Sequence, residues 1–164
     1  GHAIDFIIGG YADKNPKYRA LTGGSALAKI NDNSGGRIRT VANAIVDYVR
    51  TTQSYRDLEN RAPKKMAYFG QSTEIFARWF EEYCCIKRKN LFLTKSKEVY
   101  MPEGQRNLIY LTGEEMKPTL PLGSLLCTWI GQGLSSNNFS LKFTADDCKL
   151  VAAFRDKYLN KLNL

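Results

Sequence analysis

Side chains able to do acid, base or metal chemistry are few in this sequence and widely spaced. His2 is the only histidine, so a histidine-based metal site or a Ser/His/Asp arrangement must run through it. Cys84, Cys85, Cys127 and Cys148 contain no C-x-x-C pair, the spacing of a zinc or redox site, and read as reduced small hydrophobes. Glu74 and Arg78 stand four apart, where a carboxylate and a guanidinium meet on one helix face. Taken alone, that spacing describes a solvated or ion-paired surface group. Lys64-Lys65 and Lys87-Arg88-Lys89 form two small basic clusters, which with exposed aromatics between them would suit nucleic acid.

The element that must position Glu74 is an amphipathic helix beginning near Ser72, with Ser72 as its predicted N-cap and Glu74 near the positive end of the dipole. At 100° per residue Ile75, Phe76, Trp79, Phe80, Tyr83 and Ile86 form one apolar arc, and Glu74, Arg78, Glu81, Glu82 and Cys85 gather opposite. Ile38, Val41, Ala42, Ile45, Val46 and Val49 recur at the same period and predict a helix over 37–51 with a core-facing stripe. A short helix over 53–60 ends before Pro63. Residues 1–8 read as helical turns closed by Gly9-Gly10, and 11–36 as loops around one short element near 25–30. Residues 90–93 and 98–100 read as short strands or irregular packed segments, strands are expected at 107–112 and 139–143, and Pro118 and Pro121 predict a break in regular structure. Leu125, Leu126, Trp129 and Ile130 predict a buried helical turn or two. Thr144-Ala145-Asp146-Asp147 predicts a capping box opening a last helix, with Cys148, Val151, Ala152, Tyr158 and Leu162 facing inward.

Several of these residues carry a resemblance. Ser72-Thr73-Glu74-Ile75-Phe76-Ala77-Arg78, continued by Phe80-Glu81 and Tyr83, resembles the Thr-Glu-Leu-Phe-Ala-Arg-Ala-Phe-Glu-x-Tyr segment of the first type of large polyvalent protein-associated domain. That family is a zincin-like metallopeptidase-associated module of phage and mobile-element polyvalent proteins. Gly1-His2-Ala3-Ile4-Asp5 is similar to the second half of its His-Glu-x-Gly-His-Ala-Leu-Asp helix. Tyr100-Met101-Pro102-Glu103-Gly104-Gln105-Arg106 is similar to its Tyr-Pro-Glu-Gly-Glu-x-Arg, with Met101 inserted.

The resemblance implies zinc as cofactor, His2 and Glu74 as two of three metal ligands, Asp5 and Arg78 as groups behind the ligands, and a peptide or protein as substrate. In such sites two histidines four apart project from one helical face onto Zn²⁺, and the glutamate after the first polarises the attacking water. The first histidine and that glutamate would precede Gly1, so the expectation is a domain truncated at its N-terminus, a hydrolase-like portion that is not a competent peptidase as written. Gly1-His2 has a second reading, as residues left by removal of an affinity tag.

With 164 residues and 43% apolar content, the chain suits one well-buried core and thus a single domain over 1–164. The expected fold class is α+β, predominantly helical, with a few short strands, resembling the C-terminal part of a zincin-like metallopeptidase. A net charge of +8 favours a polyanionic partner, but the cations are scattered. No apolar run is long enough to span a bilayer and no signal-peptide pattern opens the chain, so a soluble protein is expected, and the resemblance to a phage and mobile-element module implies the cytoplasm of a bacterial host. The alternative function is a non-catalytic module that binds protein or nucleic acid through Lys64, Lys65, Lys87, Arg88 and Lys89, or a host-directed effector that has lost the chemistry.

Overall fold

The computed structural model describes residues 34–88, 111–136 and 143–160. Within them the chain is predominantly helical and contains no strand. The predicted helix over 1–8, the loops as far as residue 33, the strands at 90–93 and 98–100, the family-like segment at 100–106 and the inward-facing Leu162 lie outside the described residues. So do residues 107–110 and 139–142 of the other two predicted strands.

Helix α1 (Ser34–Thr51) is the hub, packing against four other helices: α2 (Gln53–Arg61), α4 (Ser72–Arg88), α6 (Leu120–Ser136) and α7 (Ala145–Tyr158). All six residues of its predicted stripe are buried, and Ala44, Tyr48 and Arg39 are buried as well. A helix enclosed on nearly every side is what a stripe this wide produces. It begins at Ser34, inside the predicted loop. The amides of a first turn have no intrahelical partner in any case, so the cost of Gly35 and Gly36 there is small beside the burial that follows.

Thr52 turns the chain from α1 into α2. Its backbone is extended and its hydroxyl accepts from the Tyr55 amide at 3.3 Å, the geometry of an N-cap. After α2, a 3-10 turn (Pro63–Lys65) and the single-turn helix α3 (Met66–Phe69) lead through Gly70 and Gln71 into α4. Ser72 is the first helical residue of α4, not the residue before it, and its hydroxyl accepts from Arg50 Nη2 at 2.9 Å. Ile75, Phe76, Trp79 and Tyr83 of the predicted arc are buried, whereas Ile86 at the far end is 37% exposed.

The capping chemistry beyond residue 110 is local and strong. Thr112, predicted to end a strand, is instead the N-cap of α5 (Gly113–Met116), in a reciprocal capping box with Glu115. The Glu115 carboxylate also accepts from the Ser54 hydroxyl and, at 3.1 Å, from the Ser54 amide, so one side chain serves the N-termini of both α5 and α2. A 3-10 turn (Lys117–Thr119) then runs directly into α6. The predicted break at Pro118 and Pro121 does not occur, because both prolines fall in first turns, where the missing amide has no partner to lose. Helix α6 is 17 residues long, well beyond a turn or two. Its glycines weaken the local signal, but Gly123 is buried where the Tyr83 ring lies against the helix.

Thr144 and Asp147 form the predicted capping box at the start of α7. Val151 is buried as expected and Phe154 with it, whereas Ala152 is exposed. Cys84, Cys85, Cys127 and Cys148 are half-buried and joined in no disulfide. Among the described residues no helix is long and apolar enough to cross a membrane.

Candidate functional site

Glu74 occupies the first turn of α4, held at a fixed height by the apolar arc that seats the helix against α1 and α6. Helical spacing alone puts it on the solvent side, yet it is 2% exposed. The covering comes from the α2–α3 corner, which folds over this end of α4 and brings Tyr55, Leu58 and Phe69 beside the carboxylate. Burying a carboxylate requires a compensating cation or hydrogen bonds. Arg78 Nε donates to Glu74 Oε1 at 2.7 Å. The nearby Glu74 carboxylate, as acceptor and as negative charge, pushes the Tyr68 phenol above its ordinary pKa of 10.0.

Beside the pair is a cavity of about 30 Å³, lined also by Glu82 and Leu111, with room for roughly one water molecule. Glu74, Arg78 and Glu82 follow one another at four-residue intervals along the same face. The corner that closes over them is pinned from α1, where Arg50 Nη2 donates to the Gly70 carbonyl at 3.1 Å as well as to Ser72.

The predicted site residues separate into three places. Glu74 and Arg78 are brought together; His2, Asp5 and Lys89 lie outside the described residues. Lys64 and Lys65 are exposed on the 3-10 turn before α3. Lys87 and Arg88 are carried to the other end of α4, with Lys87 about 22 Å along the axis from Ser72 at 1.5 Å per residue. Tyr68 and Arg50 belong to the site but were not singled out by the sequence. Gly70 was the available signal, marking the reversal that brings Tyr68 back toward Glu74.

Chemically, Glu74 is a carboxylate of fixed orientation, and a hydrogen bond from Arg78 is the kind of outer contact that aims a ligating carboxylate. The donor type suits Zn²⁺. Among the described residues no group of three or more His, Cys, Asp or Glu side chains is placed to hold a metal ion, so these helices do not by themselves complete a three-ligand site around Glu74. No family model, no curated protein and no solved structure matches the chain.

Proposed function

We propose that this chain is the helical part of a zinc-dependent, zincin-like metallopeptidase domain of α+β class, in a phage or mobile-element protein, and that it is not a peptidase by itself. The resemblance of residues 72–83 motivates the reading. The observation that carries it is Glu74, a carboxylate buried to 2% exposure and aimed by Arg78, where helical periodicity alone would leave it in solvent.

On this reading His2 and Glu74 hold zinc, which when bound supplies a Lewis acid for activating water in peptide hydrolysis. Arg78 fixes the Glu74 carboxylate, and Asp5 does the same for His2. One histidine and one carboxylate hold zinc poorly, which is why activity is not assigned to this chain. The test is zinc binding by the protein as its gene encodes it, read as metal per chain and as affinity. One zinc per chain, weakened at least about tenfold by Glu74→Gln at unchanged helical content, is expected. Absence of zinc, or zinc held equally well by the variant, refutes the proposal.

A second reading, a non-catalytic protein- or nucleic-acid-binding module or a host-directed effector, is favoured by a different observation. Lys64 and Lys65 are exposed within four residues of an exposed aromatic, Tyr68.

A further inference from the structure

From Asn60 to Thr73 the chain carries Arg61, Lys64 and Lys65 and no acidic residue. All three cations are exposed. The 3-10 turn over Pro63–Lys65 passes into α3 without a break, with Lys65 and Met66 both at right-handed helical dihedral angles. Lys65 and Tyr68 are then three apart, the spacing of side chains that share one side of a tight helical turn, and Lys64 adjoins Lys65.

Tyr68 is 53% exposed, but it is held. The Phe69 ring meets it edge-on at a centroid distance of 5.3 Å. Beneath it, the Gly70 amide closes on the Met66 carbonyl at 2.9 Å, where a Cβ on residue 70 would come within 2.6 Å of that carbonyl oxygen. With Arg50 pinning Gly70 and Ser72, the corner is rigid before any partner arrives. An immobilised ring loses little entropy when a planar group stacks on it.

We propose that Lys64, Lys65 and Tyr68, with Arg61 adjoining, form a binding surface for single-stranded nucleic acid. The lysines meet phosphates and the ring stacks on a base, the combination by which such strands are gripped without sequence preference. This deepens the second reading above and is independent of zinc. An acidic protein would engage the cations, but only a nucleic acid brings phosphates for the lysines together with a base to stack on the ring, which is why nucleic acid is the better fit.

The experiment is fluorescence anisotropy of a labelled oligothymidylate of about 20 nucleotides, longer than one binding site of this kind. The full chain is titrated in at salt concentrations from about 50 to 200 mM. Binding that weakens with salt is expected, and K64A/K65A should lower the log–log salt slope by about 1.4, or roughly 0.7 for each phosphate no longer neutralised. Tyr68→Ala should weaken binding roughly 5- to 100-fold while Tyr68→Phe retains it. Lys87→Ala, at the far end of α4, should leave binding unchanged. No binding at low salt, or equal losses in K64A/K65A and Lys87→Ala, overturns the proposal. Insensitivity to Tyr68→Ala, with polyglutamate competing as well as the oligonucleotide, would point instead to an acidic protein and overturn it too.

Discussion

Replacing Gly123 by alanine tests the packing of α4 on α6 at its tightest point. A Cβ on residue 123 would lie 2.3 Å from Tyr83 Cε2, 2.6 Å from Cδ2 and 2.9 Å from Cζ, so ring or helix must move by about 1.2–1.7 Å to reach ordinary carbon–carbon contact. The ring has little room. Tyr83 is 5% exposed, stacks on Trp79 at 5.3 Å and 24°, and has its hydroxyl 3.3 Å from Ser124 Oγ.

Overpacking of this kind costs about 1–3 kcal/mol, and loss of the Tyr83–Ser124 hydrogen bond adds roughly 1 kcal/mol. Alanine returns about 1 kcal/mol through helix propensity. The expected net effect of Gly123→Ala is a loss of about 1–3 kcal/mol. In a chain of this length that corresponds to a fall in Tm of roughly 2–4 °C per kcal/mol. Urea unfolding followed by far-ultraviolet circular dichroism would show a lower midpoint at constant m-value. In a Tyr83→Leu background, where the ring is gone, the same substitution should become neutral or stabilising. A neutral Gly123→Ala in the wild-type chain, or an equal effect in both backgrounds, would refute the argument.

Two predictions concern pH. Burial pushes the Glu115 carboxyl up, but the hydrogen bonds from Ser54 and Thr112 outweigh it and hold the group below its ordinary 4.5. A depressed carboxylate stabilises the fold fully above its unfolded-state value, and that contribution disappears as pH falls through the folded-state value. Glu115→Gln should therefore lose about 1 kcal/mol near neutrality and flatten the acid limb of stability against pH, measured by urea midpoints below about pH 5. Burial, then the Tyr158 and Glu115 charges, push the Tyr48 phenol up to about 12, while its hydroxyl donates to the Glu115 carbonyl at 2.7 Å. Its contribution is complete below the ordinary 10.0 and is lost as pH rises through about 12. Tyr48→Phe should remove that alkaline loss, and ultraviolet titration should lose one tyrosine ionising near pH 12.

The features legible in the sequence are those written within one or two turns of chain. The stripe from Ile38 to Val49, the arc from Ile75 to Tyr83, and the Thr144–Asp147 capping box each depend on partners three or four residues apart. Thr112 and Glu115 have the same spacing, but apolar residues before Thr112 favoured a strand over a cap. The length of α6 was hidden by glycines and prolines, whose local cost the packing of its buried residues offsets.

The candidate site was half legible. Four-residue spacing is enough to pair Glu74 with Arg78, and it is the pair found. Burial of that pair was not legible, because it depends on the α2–α3 corner that Gly70 and Arg50 bend over α4. The same holds for the double role of Glu115 at two helix ends and for the fit of the Tyr83 ring on Gly123. Side-chain periodicity determines which face of a helix is apolar. Which polar groups are then covered, and what satisfies them once covered, is decided by segments 20 to 67 residues away that only the folded chain brings into contact.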